Sequence, residues 1–178
     1  MWCPTLRRPR TLVAMSTKAR TDVERTRWLT QREQGAWIAL SGVMIKLPSA
    51  LDAQLQRDSG LTMFEYFVLS GLSMAENRTM QMGELAAYVS GSQSRLSNVI
   101  KRLEQRNAVR REPCPTNARY THAILTDEGW DLVVAAAPGH VRAVRRLVFD
   151  GMTREQVVAL REVAKHILDR ADPDTAWP

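Results

Sequence analysis

Residues 92–106 read SQSRLSNVIKRLEQR, and this stretch decides how the chain is interpreted. Its apolar residues are Leu96, Val99, Ile100 and Leu103. They recur at the spacing of one face of an α-helix, so the pattern predicts an amphipathic helix. The opposite face carries short polar side chains with cations beside them, whereas a merely solvated helix is usually dense in Glu and Lys pairs. The outer face is therefore predicted to meet a polyanion.

The polar side chains of this helix suit the major groove of DNA. Short hydroxyl and amide groups approach base edges closely, while longer cations reach the flanking phosphates. We predict that the base-reading residues are Gln93, Ser94, Arg95, Ser97 and Asn98. The predicted phosphate contacts are Lys101, Arg102, Arg110 and Arg111.

The elements around residues 92–106 predict a winged helix-turn-helix. A short apolar helix over 82–89 ends before Ser90-Gly91, and the amphipathic helix follows that tight turn at once. Two β-like runs, 108–112 and 120–125, are separated by a segment with two prolines and read as a hairpin. Arg119 lies near its tip and is predicted to enter the minor groove. The predicted fold class is mainly α with a small β-hairpin wing.

Helices on both sides of this unit are predicted to form a dimerisation region. Threonines with Glu or Gln three residues later mark helix starts at Thr30, Thr62 and Thr153, and Thr126 opens another. Pro48 is expected to kink or split the first helix, and Pro138-Gly139 to bend the helix after Thr126. That helix carries a seam with heptad-like spacing: Trp130, Val134, Ala137, Val141, Val144 and Val148. A homodimer would hold two reading helices about 34 Å apart, one turn of B-DNA.

Charge and composition narrow the function classes. The 178 residues carry a net charge of +6, of which residues 1–34 and 92–119 hold about +5 each, so the rest is acidic. Basic segments on an acidic body favour a protein that binds nucleic acid through one face. The longest stretch without charged residues, 34–45, is shorter than the roughly 18 residues of a membrane span, which we take to exclude one. Two cysteines without metal-ligand spacing predict no metal site and favour the cytoplasm.

The two ends of the chain are predicted to lie outside the fold. Residues 1–29 read as a disordered basic leader, and residues 172–178 as a tail. Met15 precedes a polar stretch that could itself begin a protein, so residues 1–14 are suspected not to be native.

Read in order, the motifs resemble the MarR (multiple antibiotic resistance regulator) family. The resemblance rests on GLT at 60–62, MGELA at 82–86, SQSRLSNVIKRLE at 92–104, VRRE at 109–112 and LTDEG at 125–129. It implies a domain over 30–171, with the winged unit at 62–125 and dimerisation helices at 30–58 and 127–171.

The resemblance also implies a cytoplasmic homodimeric repressor on duplex DNA, released by a small aromatic or phenolic ligand. Trp37, Met44 and Phe67 are the candidate ligand residues. The family's Asp-x-Arg wing tip is replaced by Asn117-Ala118-Arg119, which lacks the carboxylate, and Asn107 stands for the usual glycine before the wing.

Other function classes remain as alternatives. The three histidines are dispersed and no nucleophile elbow or phosphate loop occurs, so an enzyme is not expected and no cofactor is predicted. A protein that binds nucleic acid without sequence preference would share the basic face, although few aromatic residues are available for base stacking. Cys114 lies among arginines that would lower its thiol pKa, so a regulator that senses oxidation there is a further alternative.

Overall fold

The computed structural model describes residues 26–114 and 117–173. The predicted leader and tail therefore lie almost wholly outside the described residues. The chain divides into two compact units, Met1–Val43 and Met44–Pro178. The described elements, in chain order, are helices α1 (Gln31–Ser59) and α2 (Met63–Met74), strand β1 (Thr79–Gln81), helices α3 (Met82–Tyr88) and α4 (Gln93–Gln105), strands β2 (Val109–Cys114) and β3 (Asn117–Leu125), and helices α5 (Asp127–Val144) and α6 (Arg154–Ala171).

Side chains cap the helices where the sequence predicts. Thr30, Thr62 and Thr153 each accept a hydrogen bond from the backbone of the residue three places on, whose own side chain bonds back. Ser92 caps α4 and Thr126 caps α5 in the same way, through one bond each. These bonds satisfy donors that the first helical turn leaves unpaired, so the predicted helix starts are confirmed.

The winged lobe is built around one apolar core. Leu96, Val99, Ile100 and Leu103 of α4 are all buried, which confirms the predicted stripe. They pack with apolar residues of α2, α3 and the sheet in a single cluster. Burying a leucine or isoleucine contributes about 1.5–3 kcal/mol, so this stripe fixes which face of α4 remains outside.

The hairpin is confirmed, and a third strand joins it. Strand β3 lies between β1 and β2, antiparallel to both. Strand β1 has three residues and was not predicted, because so short a strand shows no alternation in sequence. Asn107, just before β2, has φ of 54°, which confirms that it takes the left-handed conformation usually given to glycine.

Neither proline ends its helix, so the first helix is not split at Pro48. Helix α1 continues through Pro48 over 29 residues, and α5 continues through Pro138. A proline inside a helix removes the backbone hydrogen bond to the carbonyl four residues earlier, that of Met44 for Pro48, and its ring crowds that carbonyl. At the next position, the Ser49 hydroxyl donates to the Ile45 carbonyl. The regular geometry of α5 changes later, to a π-helical turn at Arg145–Phe149.

Helix α1 contradicts the exclusion of a membrane-spanning segment that was made from the sequence. By length and composition it is apolar enough to cross a membrane. Counting only charge-free stretches stopped at Lys46, a single charge in an otherwise apolar segment. Large apolar side chains on this helix, among them Ile38 and Ile45, are more than half exposed.

Candidate nucleic-acid interface

The turn between α3 and α4 sets the direction of α4 relative to α3. Ser90 has φ of 48°, in the left-handed region. A Cβ on Gly91 would lie 2.7 Å from Cζ of Phe64, so a larger residue there would have to displace the Phe64 ring. The helix-turn-helix geometry therefore depends on a close backbone approach.

The outer face of α4 is exposed as predicted from its pattern. Gln93, Ser94, Ser97 and Lys101 are all exposed. Their side chains are short except for one lysine, so a duplex could approach the helix surface closely.

Arg95 and Asn98 lie on the side of α4 that faces α2. The Arg95 guanidinium lies 4.2 Å from the ring centroid of Phe64, a cation–π contact. Both residues line a cleft of about 640 Å³ between α1, α2 and α4. The lining residues are Pro48, Ser49, Asp52, Thr62, Met63, Phe64, Phe67, Val89, Arg95, Asn98, Val99 and Arg102.

Of the candidate ligand residues, Phe67 lines this cleft and Met44 does not. Met44 is half exposed on α1, and Trp37 is half exposed in the unit Met1–Val43. Asp52 joins α1 to the wall of the cleft, because its Oδ1 accepts a hydrogen bond of 2.7 Å from the Met63 backbone.

Arg102, although half exposed, forms an ion pair with a buried carboxylate of α2. Its Nε lies 3.0 Å from Oε1 of Glu65, whose side chain is only 8% exposed. Burial raises the pKa of Glu65, but hydrogen bonds from the Thr62 backbone and from Arg102 outweigh it, so the pKa lies below its usual value. Glu65 also completes the cap of α2 through Thr62. The buried carboxylate thus connects α2 to α4.

Arg110 and Arg111 of β2 are also paired within the chain. Arg111 binds Glu104, near the end of α4, with two hydrogen bonds of 2.9 and 2.7 Å. This fork geometry is the strong form of an arginine–carboxylate pair, and it raises the pKa of Arg111. Arg110 pairs with Glu112 on the same strand.

The wing places Arg119 beside the start of α4. Arg119 and Arg111 line a second cleft, of about 310 Å³, together with Gln81, Met82, Gly83, Gln93, Leu96, Ser97, Tyr120 and Thr121. Asn117, which replaces the family's aspartate, accepts a hydrogen bond of 3.1 Å from the Arg119 backbone. The amide therefore supports the main chain of the wing rather than the guanidinium.

Two further residues considered from the sequence are a histidine, His140, and the cysteine Cys114. The His140 ring packs against Tyr66 at a tilt of 48°, with ring centroids 4.7 Å apart, and burial lowers the pKa of His140. Cys114 is the last residue of β2 and is partly buried. Among residues 26–114 and 117–173, no group of three or more His, Cys, Asp or Glu is placed to hold a metal ion.

Known proteins are similar to this chain in sequence and fold. The MarR family model matches residues 61–121. The chain is 42% identical to Sco3205, a MarR family transcriptional regulator from Streptomyces coelicolor solved in complex with DNA, over 86% of this chain and 96% of that one, with a TM-score of 0.80. It is 39% identical to AbsC, another MarR family regulator from that organism, over 84% and 100% of the chains, with a TM-score of 0.78. The HTH-type transcriptional regulator MhqR of Bacillus subtilis is 24% identical over 140 residues, which are 78% of this chain and 93% of that protein.

The fold and its exposed polar helix define a winged helix-turn-helix protein that binds DNA. The chain belongs to the MarR family of transcriptional regulators. The resemblance seen in the sequence motifs is thereby confirmed, and so is the predicted fold class.

Proposed function

We propose that this regulator acts as a homodimeric repressor on a pseudo-palindromic operator. The observation that carries the proposal is helix α6, which has 18 residues and buries none of them in the described chain. Its large apolar side chains are exposed by 37–58%: Val157, Val158, Leu160, Val163 and Ile167. An amphipathic helix stabilises a fold only when its apolar face is covered, so a second copy is the natural cover.

The predicted seam of α5 supports the same partner. Val134 and Val141 are more than half exposed, while Val133, Ala136 and Ala143 face the core of their own chain. One stripe of α5 therefore packs within its own chain, and the other stripe remains exposed for a partner. A second copy would also explain the exposed apolar residues of α1. In a dimer that binds DNA, they would be covered by protein and not by lipid.

On DNA, each α4 would lie in the major groove with Gln93, Ser94 and Ser97 toward base edges. Lys101 would hold a phosphate, and Arg119 on the wing would reach the adjacent minor groove. Two-fold symmetry would repeat these contacts about 34 Å away on an inverted repeat. A repressor then acts by covering promoter DNA.

Footprinting and sedimentation test this proposal together. The expected result is a dimer at micromolar concentration that protects an inverted repeat with half-sites one turn apart. Competition with single strands and structured RNA at several salt concentrations tests the alternative of binding without sequence preference. A monomer, or equal affinity for every nucleic acid, would contradict the proposal.

We further propose that a small aromatic anion binds in the 640 Å³ cleft and releases the protein from DNA. Phe64 and Phe67 offer ring faces, and Arg95 offers a guanidinium to a carboxylate. Because Arg95 is also a proposed base reader, a ligand that holds it in the cleft would bind DNA-free protein better than DNA-bound protein. This difference in affinity is what a release mechanism requires.

Benzoate and 4-hydroxybenzoate are suitable probes for this effector site. Either is expected to weaken operator binding in wild type, and Phe67→Ala is expected to lose the response while it retains operator affinity. Phe67→Leu keeps apolar volume in the cleft and serves as the matched control. An unchanged response in Phe67→Ala would move the effector site elsewhere.

A further inference from the structure

Two carboxylates hold helix α4 from opposite sides. Glu65 on α2 pairs with Arg102, and Glu104 on α4 pairs with Arg111 on β2. The Glu65–Arg102 pair links α4 to α2, and the Glu104–Arg111 pair links α4 to strand β2 of the wing. The inference that follows rests on the proposed placement of α4 on DNA.

We infer that Glu65 and Glu104 set the orientation of α4 for DNA binding, and that Arg102 and Arg111 are positioning residues rather than phosphate contacts. The first reason is geometry. Arg111 uses Nε and Nη2 in its fork with Glu104, which directs one edge of the guanidinium at the carboxylate. Arg102 directs Nε at a carboxylate that is almost fully buried.

The second reason is the cost of breaking the inner pair. Glu65 is 6% exposed, and an uncompensated carboxylate at such a depth is strongly unfavourable. If Arg102 turned outward to a phosphate, Glu65 would keep its bonds from Thr62 but lose its only ion pair among the described residues. A phosphate contact would have to replace a charge-assisted bond to a carboxylate that is only 8% exposed, although the Arg102 side chain itself is 53% exposed.

The third reason is that one carboxylate links two helices. Glu65 accepts from Thr62 through Oε2 and from Arg102 through Oε1, so the start of α2 and the last turn of α4 share one carboxylate. Asp52 of α1 fixes the next residue, Met63. A helix held in this way presents Ser97 and Lys101 in a defined direction, which matters because base readout tolerates little misplacement.

Removing the carboxylates distinguishes positioning from phosphate binding by the sign of the effect. Glu65→Gln and Glu104→Gln each remove a negative charge near a polyanion and release an arginine. If the arginines contact phosphates, both variants bind DNA more tightly. If the pairs position α4, both bind the wild-type protein's preferred duplex more weakly, by about tenfold for the loss of a charge-assisted bond.

The experiment measures the dissociation constant of each variant on a duplex selected from a random pool by wild-type protein, over a range of salt concentrations. Glu112→Gln is the matched control, because it removes the same charge beside Arg110 without touching α4. It is expected to bind at least as tightly as wild type. Arg102→Gln is expected to leave the salt dependence of log Kd unchanged, whereas a lost phosphate contact lowers its slope by about 0.9.

A double variant, Glu65→Gln with Arg102→Gln, is expected to bind no worse than the weaker single variant, because the two residues act as one unit. Thermal unfolding shows whether Glu65→Gln is folded, and the more exposed Glu104 pair gives an answer that does not depend on it. Tighter binding by Glu104→Gln, or a lower salt slope for Arg102→Gln, would overturn the inference alone. Unchanged affinity and slope in Lys101→Ala would overturn the placement of α4 as well.

Discussion

A methyl group added at Gly129 tests how tightly the wing is joined to α5. An ideal Cβ on Gly129 would lie 2.0 Å from the carbonyl oxygen of Ala108 and 2.7 Å from Cδ1 of Leu125. A carbon and a carbonyl oxygen normally stay about 3.3 Å apart, so the backbone would have to move by more than about 1 Å. The same carbonyl accepts a hydrogen bond of 3.2 Å from the Thr126 backbone at the cap of α5.

The expected cost of Gly129→Ala follows from these contacts. Overpacking costs about 1–3 kcal/mol, and loss of the bond to Thr126 adds about 0.5–1.5 kcal/mol. Replacing glycine in a helix returns up to about 1 kcal/mol, which leaves a net destabilisation of about 2–3 kcal/mol. For a domain of this size, the melting temperature should fall by about 4–12 °C.

The assay is thermal unfolding at one protein concentration, since the proposed dimerisation would make the midpoint depend on it. Gly83→Ala is the matched control within the same lobe, because its nearest neighbour would lie at 3.6 Å, an ordinary contact. It should be neutral or slightly stabilising. A melting temperature for Gly129→Ala equal to or above that of wild type would refute the geometry of this joint.

Three further predictions address the interface, the acid response and the turn before the wing. Ile167→Asp should turn the dimer into a monomer in sedimentation and abolish tight operator binding, whereas Lys165→Ala on the same helix should do neither; dimeric Ile167→Asp would contradict the proposed cover. The lowered pKa of Glu65 means that its stabilisation is present above the unfolded-state value, about 4.3, and is lost as pH falls through the folded-state value. The melting temperature should therefore fall less in Glu65→Gln than in wild type below about pH 5. Asn107→Val should destabilise by about 1–2 kcal/mol because φ is 54°, while Asn107→Gly should not, and equal unfolding midpoints would be evidence against this strain.

Much of the fold is local, which is why the sequence predicts it well. Threonine caps act within three residues of the helix start, and the stripe on α4 has its period within four. Neither pattern depends on what the rest of the chain does. The split offered as one outcome at Pro48 was wrong, because the cost of a proline is real but a long helix tolerates it.

In the candidate interface, too, some features follow from the local sequence and others do not. Its exposed polar members, Gln93, Ser94 and Ser97, follow from their position opposite the buried stripe. Which arginines remain available for DNA does not follow, because Glu65 lies 37 residues before Arg102 and reaches it only when α2 packs on α4. Charge counted along the chain cannot reveal pairing of that kind.

The sequence by itself determined the winged helix-turn-helix and the outward face of α4, and it predicted a partner along α5 and α6. Those features are set by the periodicity of side chains along single elements and by the chemistry of adjacent residues. Only the tertiary structure decided that Arg102 and Arg111 are paired with Glu65 and Glu104, that Arg95 lies over Phe64, and that β1 completes the sheet. Each of those outcomes depends on a contact between residues distant in sequence, and such contacts exist only once the core has packed.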